Sequence, residues 1–267
     1  AERLGIEVIS SAGILSVLAA MGATPKDALW AFTLTLSDEA WLERFSIGLY
    51  SVLIQYSVNL VGGDTTRGDV LSITITAIGF VISDKALRRD HATFDDDVWV
   101  SGLIGVGAVG LLIQRGTLRF SKRDEEDFLA RLRKPEPRVE LGQKLLGIAN
   151  SAIDISDGVV ADAGHVAKGS GTQIVIDFAT IPTHTALNSS KRDPIIKNSI
   201  LGGGDDYELL FTANPDAKEQ IDSIARDLDL RLTRIGKVRS GSGVVVRDDG
   251  EELSVGFQRG FDHFAKR

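Results

Sequence analysis

The sequence predicts an α/β (α+β) protein of two domains: an N-terminal mixed sheet with helices, then a C-terminal α/β domain. Three observations carry that reading. Segments of helical spacing alternate with segments of strand spacing in both halves, a proline-flanked break separates the halves, and short glycine-aspartate runs recur where strands end. At 267 residues the chain can build two modest cores.

Trp41, Leu42, Phe45, Leu49, Val52, Leu53 and Tyr56 fall on one face of a helix, whereas Leu71, Ile73 and Ile75 alternate with Ser72, Thr74 and Thr76 as in a half-buried strand. Between them, Val61-Gly-Gly-Asp-Thr-Thr-Arg-Gly68 reads as a short strand entering a glycine turn. Val98 to Ser101 reads as a strand that runs into the small-residue segment Gly102 to Gly110. Asp124 to Arg133 is a charged helix, stopped by Lys134-Pro-Glu-Pro-Arg138 because proline lacks an N–H and restricts the residue before it. The domain boundary is expected there, giving residues 1–134 and 135–267. In the second half, strands are expected at Ser151–Ile155, Gln173–Phe178, Tyr207–Thr212, Arg231–Val238 and Gly243–Arg247, with helices at Gly158–Lys168 and Asp216–Leu228. Ser240-Gly-Ser-Gly243 is expected to be a hairpin loop.

Composition removes several function classes. Hydrophobic residues at 43% and charged ones at 25% argue against disorder and coiled coils. A net charge of -7 makes the chain a poor partner for nucleic acid. Without cysteine there is no disulfide framework, thiolate metal site or thiol nucleophile, which fits a cytoplasmic location. The longest apolar stretch, Leu103 to Ile113, falls short of the ~20 residues of a spanning helix, so no membrane span is expected. No signal peptide is expected in residues 1–20. The chain opens at Ala1 and its only methionine is Met21, so residues further upstream are expected in the natural protein.

The chemistry concentrates in three segments: Gly62-Gly-Asp64-Thr-Thr-Arg67, Asp154-Ile-Ser156-Asp157-Gly158 and Gly202-Gly-Gly-Asp205-Asp206-Tyr207-Glu208. Glycine lets backbone approach a ligand, and free amides in such turns bind phosphate oxygens. Aspartates repel phosphate, so a site combining both must hold cations between them. Mg²⁺ suits this, taking one or two carboxylates plus phosphate oxygens and water. Arg67 and Arg89 offer the forked donors that suit phosphate. Each segment also has a plainer reading: Asp64 as a turn residue, Ser156 or Asp157 as the cap of the helix that follows, Asp205 and Asp206 as loop acids in water. Leu71 to Ala77, apolar on one face, needs a partner surface.

These segments resemble the thiamine-monophosphate kinases, a family in the superfamily that includes aminoimidazole ribonucleotide synthetase. The resemblance runs through Leu18-Ala-Ala-Met-Gly-Ala-Thr-Pro25, Val61-Gly-Gly-Asp-Thr-Thr-Arg-Gly68, Ile153-Asp-Ile-Ser-Asp-Gly158, Gly203-Gly-Asp-Asp-Tyr-Glu-Leu209 and Gly260-Phe-Asp-His-Phe264. It implies a two-domain aminoimidazole ribonucleotide synthetase-like fold, dimerisation through the N-terminal sheets, and transfer of the ATP γ-phosphoryl to thiamine monophosphate. It also implies Mg²⁺ on Asp64, Asp154 and Asp157, ATP near Gly63, Asp64, Arg89 and Ser156, and the thiamine ring near Asp205 and Phe261. Val17 and Val106 stand where the family carries aspartate, and the family's upstream segment would precede Ala1. A non-catalytic relative that binds nucleotide or thiamine phosphate, or another ATP-dependent synthetase of the superfamily, remains the alternative.

Overall fold

The computed structural model describes residues 6–253 and Gly260; the side chains described begin at Ala12. Its smaller sheet has the order β2-β1-β3, with β1 (Thr24–Leu34) between β2 (Asn59–Arg67) and β3 (Ser72–Phe80). β1 and β2 run parallel, which requires a crossover, and α2 (Glu39–Gln55) provides it. Asp38 starts that helix by accepting from the Trp41 N–H at 3.0 Å. Its inner face meets the sheet through Phe45, which sits edge-on to Trp30 with centroids 5.2 Å apart.

Two sequence expectations change here. Gly62 to Arg67 is not a turn: it is strand β2, paired residue by residue with β1, with Trp30 opposite Gly63 and Ala31 opposite Asp64. A Cβ on Gly63 would lie 2.1 Å from the Trp30 carbonyl oxygen, so glycine is there for close strand approach. β1 itself had no sequence assignment, because Pro25, Lys26 and Asp27 hide the start of its apolar run. The alternation of β3 is also satisfied within the chain. Ile73 and Ile75 pack against the cluster of Trp30, Phe45 and Leu49, while Ser72, Thr74 and Thr76 face outward, so this face needs no partner to cover it.

The larger sheet has the order β10-β9-β6-β8-β4-β7-β5. Its strands are β4 (Asp97–Ser101), β5 (Ala149–Asp154), β6 (Gln173–Asp177), β7 (Leu209–Ala213), β8 (Leu232–Arg239), β9 (Gly243–Asp248) and β10 (Glu251–Glu252). β6 lies between β8 and β9, so Ser240–Gly243 is a crossover rather than a hairpin loop. One face carries α3 (Val106–Gln114), α4 (Lys122–Arg133), α6 (Val159–Ser170) and α7 (Pro194–Gly202). The other is covered by α1 (Ile6–Ala20), α5 (Val139–Lys144) and α8 (Lys218–Asp227).

The sheets part earlier than the prolines suggest. β4 pairs with β7 and β8, and Val98, Val106, Val109 and Phe128 share a core with Ile153, Ile174 and Ile200. The division therefore falls between Phe80 and Asp97, not at Lys134–Arg138, where Pro135 and Pro137 only end α4. A proline stop is local, whereas the pairing of β4 with a strand more than 100 residues later is not. α1 bridges the halves, touching α2 and β3 on one side and α5 and β5 on the other.

Two acids fix the ends of the central strands. Glu208, buried just before β7, receives both the Nε and an Nη of Arg138, at 2.7 and 2.6 Å, and the Ser101 hydroxyl. Asp206, half-buried, accepts from the Gly105 N–H at 2.6 Å and the Gly107 N–H at 2.9 Å, supplying the anion at the start of α3 that Gly105 cannot. Burial pushes the Asp206 carboxyl up to about 7; the two amides oppose the shift, and the charges of Glu208 and Asp205 add to it.

Three outcomes follow from these contacts. Gly63→Ala should lower unfolding free energy by about 1–3 kcal/mol in a denaturant titration, and no change would disprove the close β1–β2 approach. Arg138→Met leaves Glu208 buried without its cation and should cost about 3–5 kcal/mol by the same measurement. The folded pKa of Asp206 lies above its unfolded value of about 3.9, so its stability contribution is complete below that value and is lost as pH rises through about 7. Melting temperatures recorded across that window should therefore fall less steeply in Asp206→Asn than in the parent chain. Equal slopes would show that Asp206 does not titrate there.

Candidate functional site

The site is built where β5 ends and α6 begins. Asp154 closes β5 opposite Leu209 of β7, and residues 155–158 turn the chain into the helix. The segment before β7 is laced onto this turn by backbone bonds: the Asp205 N–H donates to the Ser156 carbonyl at 3.0 Å, and the Tyr207 N–H to that of Ile155 at 2.9 Å. The approach is so close that a Cβ on Gly204 would lie 2.2 Å from the Ser156 carbonyl oxygen.

This lacing gives the run from Asp205 to Glu208 two faces. Asp205 and Tyr207 adopt positive φ, +66° and +52°, and point toward the Asp154–Asp157 turn, with the Tyr207 hydroxyl donating to Asp205 Oδ1 at 3.2 Å. Asp206 and Glu208 point inward and make the anchors described above. Asp206 is therefore not a loop acid held in water. Left-handed backbone at two non-glycine residues is strained and persists only where the surroundings enforce it.

Burial raises Asp154 and Asp205 above the ordinary carboxylate range, and Asp157 adds repulsion to both. Asp162, in the first turn of α6 and only 3% exposed, is pushed up to about 7 by burial, with Asp157 and Asp154 adding to the rise. No lysine or arginine is among the groups that shift these acids. The Ser16 hydroxyl of α1 is fully buried without a hydrogen bond of good geometry, and it lies beside Asp154 and works against the shift. Carboxylates crowded together beside a buried hydroxyl, with no cation among the described residues that shift them, are hard oxygen donors suited to Mg²⁺. Among the described residues no three acids or histidines come close enough to hold a metal alone, so the protein would supply part of the shell.

Asp162 also corrects the expectation of free amides. Its Oδ2 accepts from the N–H groups of Ser156, Asp157 and Gly158 at 3.1, 3.1 and 3.2 Å. The donors of this turn are taken by the chain itself. Nor do Ser156 or Asp157 cap α6: the N-cap is Gly158, which has no side chain to do so.

Beside Asp154 opens a cavity of about 600 Å³ lined by Val17, Met21, Arg88, Arg89 and Asp90. Arg88 is paired with Asp90 at 2.7 Å, whereas Arg89 is exposed and has no acidic partner among the described residues. Val17 is 46% exposed and shares this cavity rather than the core. Val106, by contrast, is 3% exposed at the start of α3.

The first motif lies elsewhere. Asp64 on β2 is exposed, accepts from the Thr65 N–H at 2.8 Å, and lines a separate cavity with Trp30, Phe45 and Tyr50. Arg67 is exposed at the end of the same strand, opposite Leu34. Within one chain the structure thus brings Asp154, Ser156, Asp157 and Asp205 together, places Arg89 at their edge, and leaves Gly63, Asp64 and Arg67 apart. Phe261 lies outside the described residues. Gly260 is described, and a Cβ on it would lie 2.4 Å from Ala161 and 3.3 Å from the Asp157 carbonyl oxygen.

Sequence reasoning missed Ser16 and Asp162, and named Tyr207 and Glu208 within the third segment without the roles they take beside Asp205 and Arg138. Only Asp162 left a readable sign: an acid set among Val159, Val160, Ala161 and Ala163, where a buried charge needs a partner.

Comparison with known proteins agrees with this architecture. Residues 6–81 match the model of the AIR synthase related protein, N-terminal domain, and residues 95–249 that of the AIR synthase related protein, C-terminal domain, which also places the division before β4. Thiamine-monophosphate kinase of Haemophilus influenzae (strain ATCC 51907 / DSM 11121 / KW20 / Rd) is 40% identical over 255 residues, covering 94% of this chain and 77% of that protein. The crystal structure of thiamine-monophosphate kinase from Stenotrophomonas maltophilia K279a superposes with a TM-score of 0.86 at 42% identity, over 93% of this chain and 79% of that one. AaThiL complexed with AMPPCP and TMP superposes with a TM-score of 0.82 at 29% identity, over 98% of this chain and 84% of that one. With both domain models matched in order and relatives of this identity along nearly its whole length, the chain belongs to the AIR synthase related proteins, among the thiamine-monophosphate kinases.

Proposed function

We propose that the chain transfers the γ-phosphoryl of ATP to thiamine monophosphate, giving thiamine diphosphate, at a Mg²⁺-dependent site centred on Asp154 and Asp157. The observation that carries this reading is the lacing of Asp205 onto the Asp154–Asp157 turn by backbone bonds, which crowds these acids together with no lysine or arginine of the described residues among the groups that shift Asp154 or Asp205. A cation among such a group offsets the repulsion between its carboxylates. Mg²⁺ supplies charge neutralisation of the phosphates, on which phosphoryl transfer chiefly depends.

The chain's own residues orient the reactants. Asp154 and Asp157 hold the metal from the end of β5, and the Ser156 hydroxyl meets ATP between them. Arg89, without an acidic partner among the described residues, takes a phosphate at the edge of the same cavity. Asp205, steadied by Tyr207, faces the thiamine ring, whose thiazolium is a cation and is drawn to a carboxylate. Phe261 is proposed for the aromatic part of that pocket. No side-chain nucleophile is required, because in-line positioning of two phosphates suffices.

Gly63, Asp64 and Arg67 are proposed as nucleotide contacts on the motif alone. Because Asp64 lines another cavity, its metal role is the part of the reading that depends on a second copy of the chain. A homodimer is supported by exposed apolar side chains on the edge strands of the small sheet, Val61, Ile78 and Phe80, and on α2, Ile47 and Ile54. A cytoplasmic setting is supported by ATP as co-substrate. Among the described residues no helix is long and apolar enough to cross a membrane.

Formation of thiamine diphosphate from thiamine monophosphate and Mg·ATP is the direct assay. Asp157→Asn should lower turnover by about a hundredfold or more with an unchanged melting temperature, since it removes one ligand charge. Turnover equal to the parent chain would remove Asp157 from the site. Val17→Asp adds a carboxylate at an exposed position of the Asp154 cavity and should lower the Mg²⁺ concentration needed for half-maximal rate. A variant that loses stability and gains no metal affinity would place Val17 in the core instead. Sedimentation at micromolar concentration should show a dimer, and Val61→Arg should shift it toward monomer; a monomeric parent chain would contradict the assembly.

A further inference from the structure

The turn from Ile155 to Gly158 carries the features of an anion site: three consecutive amides converge on one point at the start of a helix whose N-cap lacks a side chain. An oxyanion already sits at that point, and it belongs to the chain. Asp162 reaches back from the first turn of α6 and gives one oxygen to all three donors, from a position 3% exposed. An ordinary capping acid precedes its helix and bonds forward; this one follows the turn and bonds backward, so it ties the turn to the helix that comes after.

We propose that Asp162 is the positioning residue of this site, filling the amide nest of residues 156–158 so that the turn presents the Asp154 and Asp157 carboxylates to a cation and has no amide left for phosphate. The inference rests on the Mg²⁺ and phosphate reading of the site. Two consequences are separable. With the nest filled, the directions of Asp154 and Asp157 are fixed by three hydrogen bonds rather than by a loop free to rotate. With the nest filled, the amides of residues 156–158 offer nothing to a phosphate group, which meets this turn through the cation. Removing the carboxylate therefore both loosens the two acids and opens a site for bare phosphate.

Asp162→Ala and Asp162→Asn distinguish these effects. The asparagine oxygen can still accept from the three amides, so this variant keeps the turn without the charge, whereas alanine empties the nest. In the kinase assay, Asp162→Ala should raise the Mg²⁺ concentration for half-maximal rate by about tenfold or more, while Asp162→Asn should stay within about threefold of the parent chain. A structural role alone would instead lower the amount of folded enzyme and leave that concentration unchanged. The second readout needs no activity: calorimetry with inorganic phosphate in EDTA. Asp162→Ala should bind phosphate in the absence of metal, whereas the parent chain and Asp162→Asn should not. If the alanine variant does not fold, Asp162→Ser, whose hydroxyl is too short to reach the three amides, replaces it in both measurements with the same expectation of metal-free phosphate binding. Phosphate binding by the parent chain in EDTA would overturn the proposal, as would an alanine variant matching it in both readouts or an asparagine variant as impaired as alanine. An inactive parent chain with metal-free phosphate binding only in Asp162→Ala would overturn the kinase reading and leave the nest assignment intact.

Discussion

The structure depends on an electrostatic constraint: at the end of β5 several carboxylates are brought out of water with backbone amides and hydroxyls, not cations, as their partners. Asp162 takes three amides of the turn before α6, and Asp206 takes two at the start of α3. Amides stabilise an anion without neutralising it, so the local charge stays negative while the geometry is fixed. Asp154, Asp157 and Asp205 are what remains outward once those donors are used. The site's affinity for a cation follows from this division between the acids that hold the fold and Asp154, Asp157 and Asp205.

The same constraint explains the backbone. Because Asp206 and Glu208 point inward, Asp205 and Tyr207, which alternate with them, point to the other side, and both adopt positive φ. Strain of this kind costs on the order of 1–3 kcal/mol per residue and is sustained here by the Glu208–Arg138 pair and the bonds to residues 155 and 156. α1 completes the arrangement. By packing against both halves it sets Ser16 beside Asp154 and Val17 at the mouth of the cavity.

Much of this was legible in the sequence. The alternation of Leu71 to Ile75 gave a strand, the spacing of Trp41 to Tyr56 a helix, and Asp-Ile-Ser-Asp-Gly the acid turn. What escaped was set by distant pairing. Gly62-Gly63 signals a turn locally, but Trp30 opposite makes it a strand, and the prolines at 135 and 137 mark a helix end while β4 has already joined the second sheet. The three glycine-aspartate segments looked equivalent. Only two of them meet within one chain, and the difference lies in the backbone bonds from Asp205 and Tyr207, which no local pattern encodes. Asp162 had a local sign in its apolar neighbours, but its three amide partners are set by the fold of the turn and not by any sequence pattern.

Calorimetric binding of a non-hydrolysable ATP analogue, once in Mg²⁺ and once in EDTA, tests the central claim most directly. If the outward acids are uncompensated and the amides of the turn are already filled, the triphosphate has to be accompanied by metal, and binding should be at least about a hundredfold weaker in EDTA. Equal affinity in the two solutions would mean that the triphosphate finds its donors without a cation, and the division of the acids described above would then be wrong.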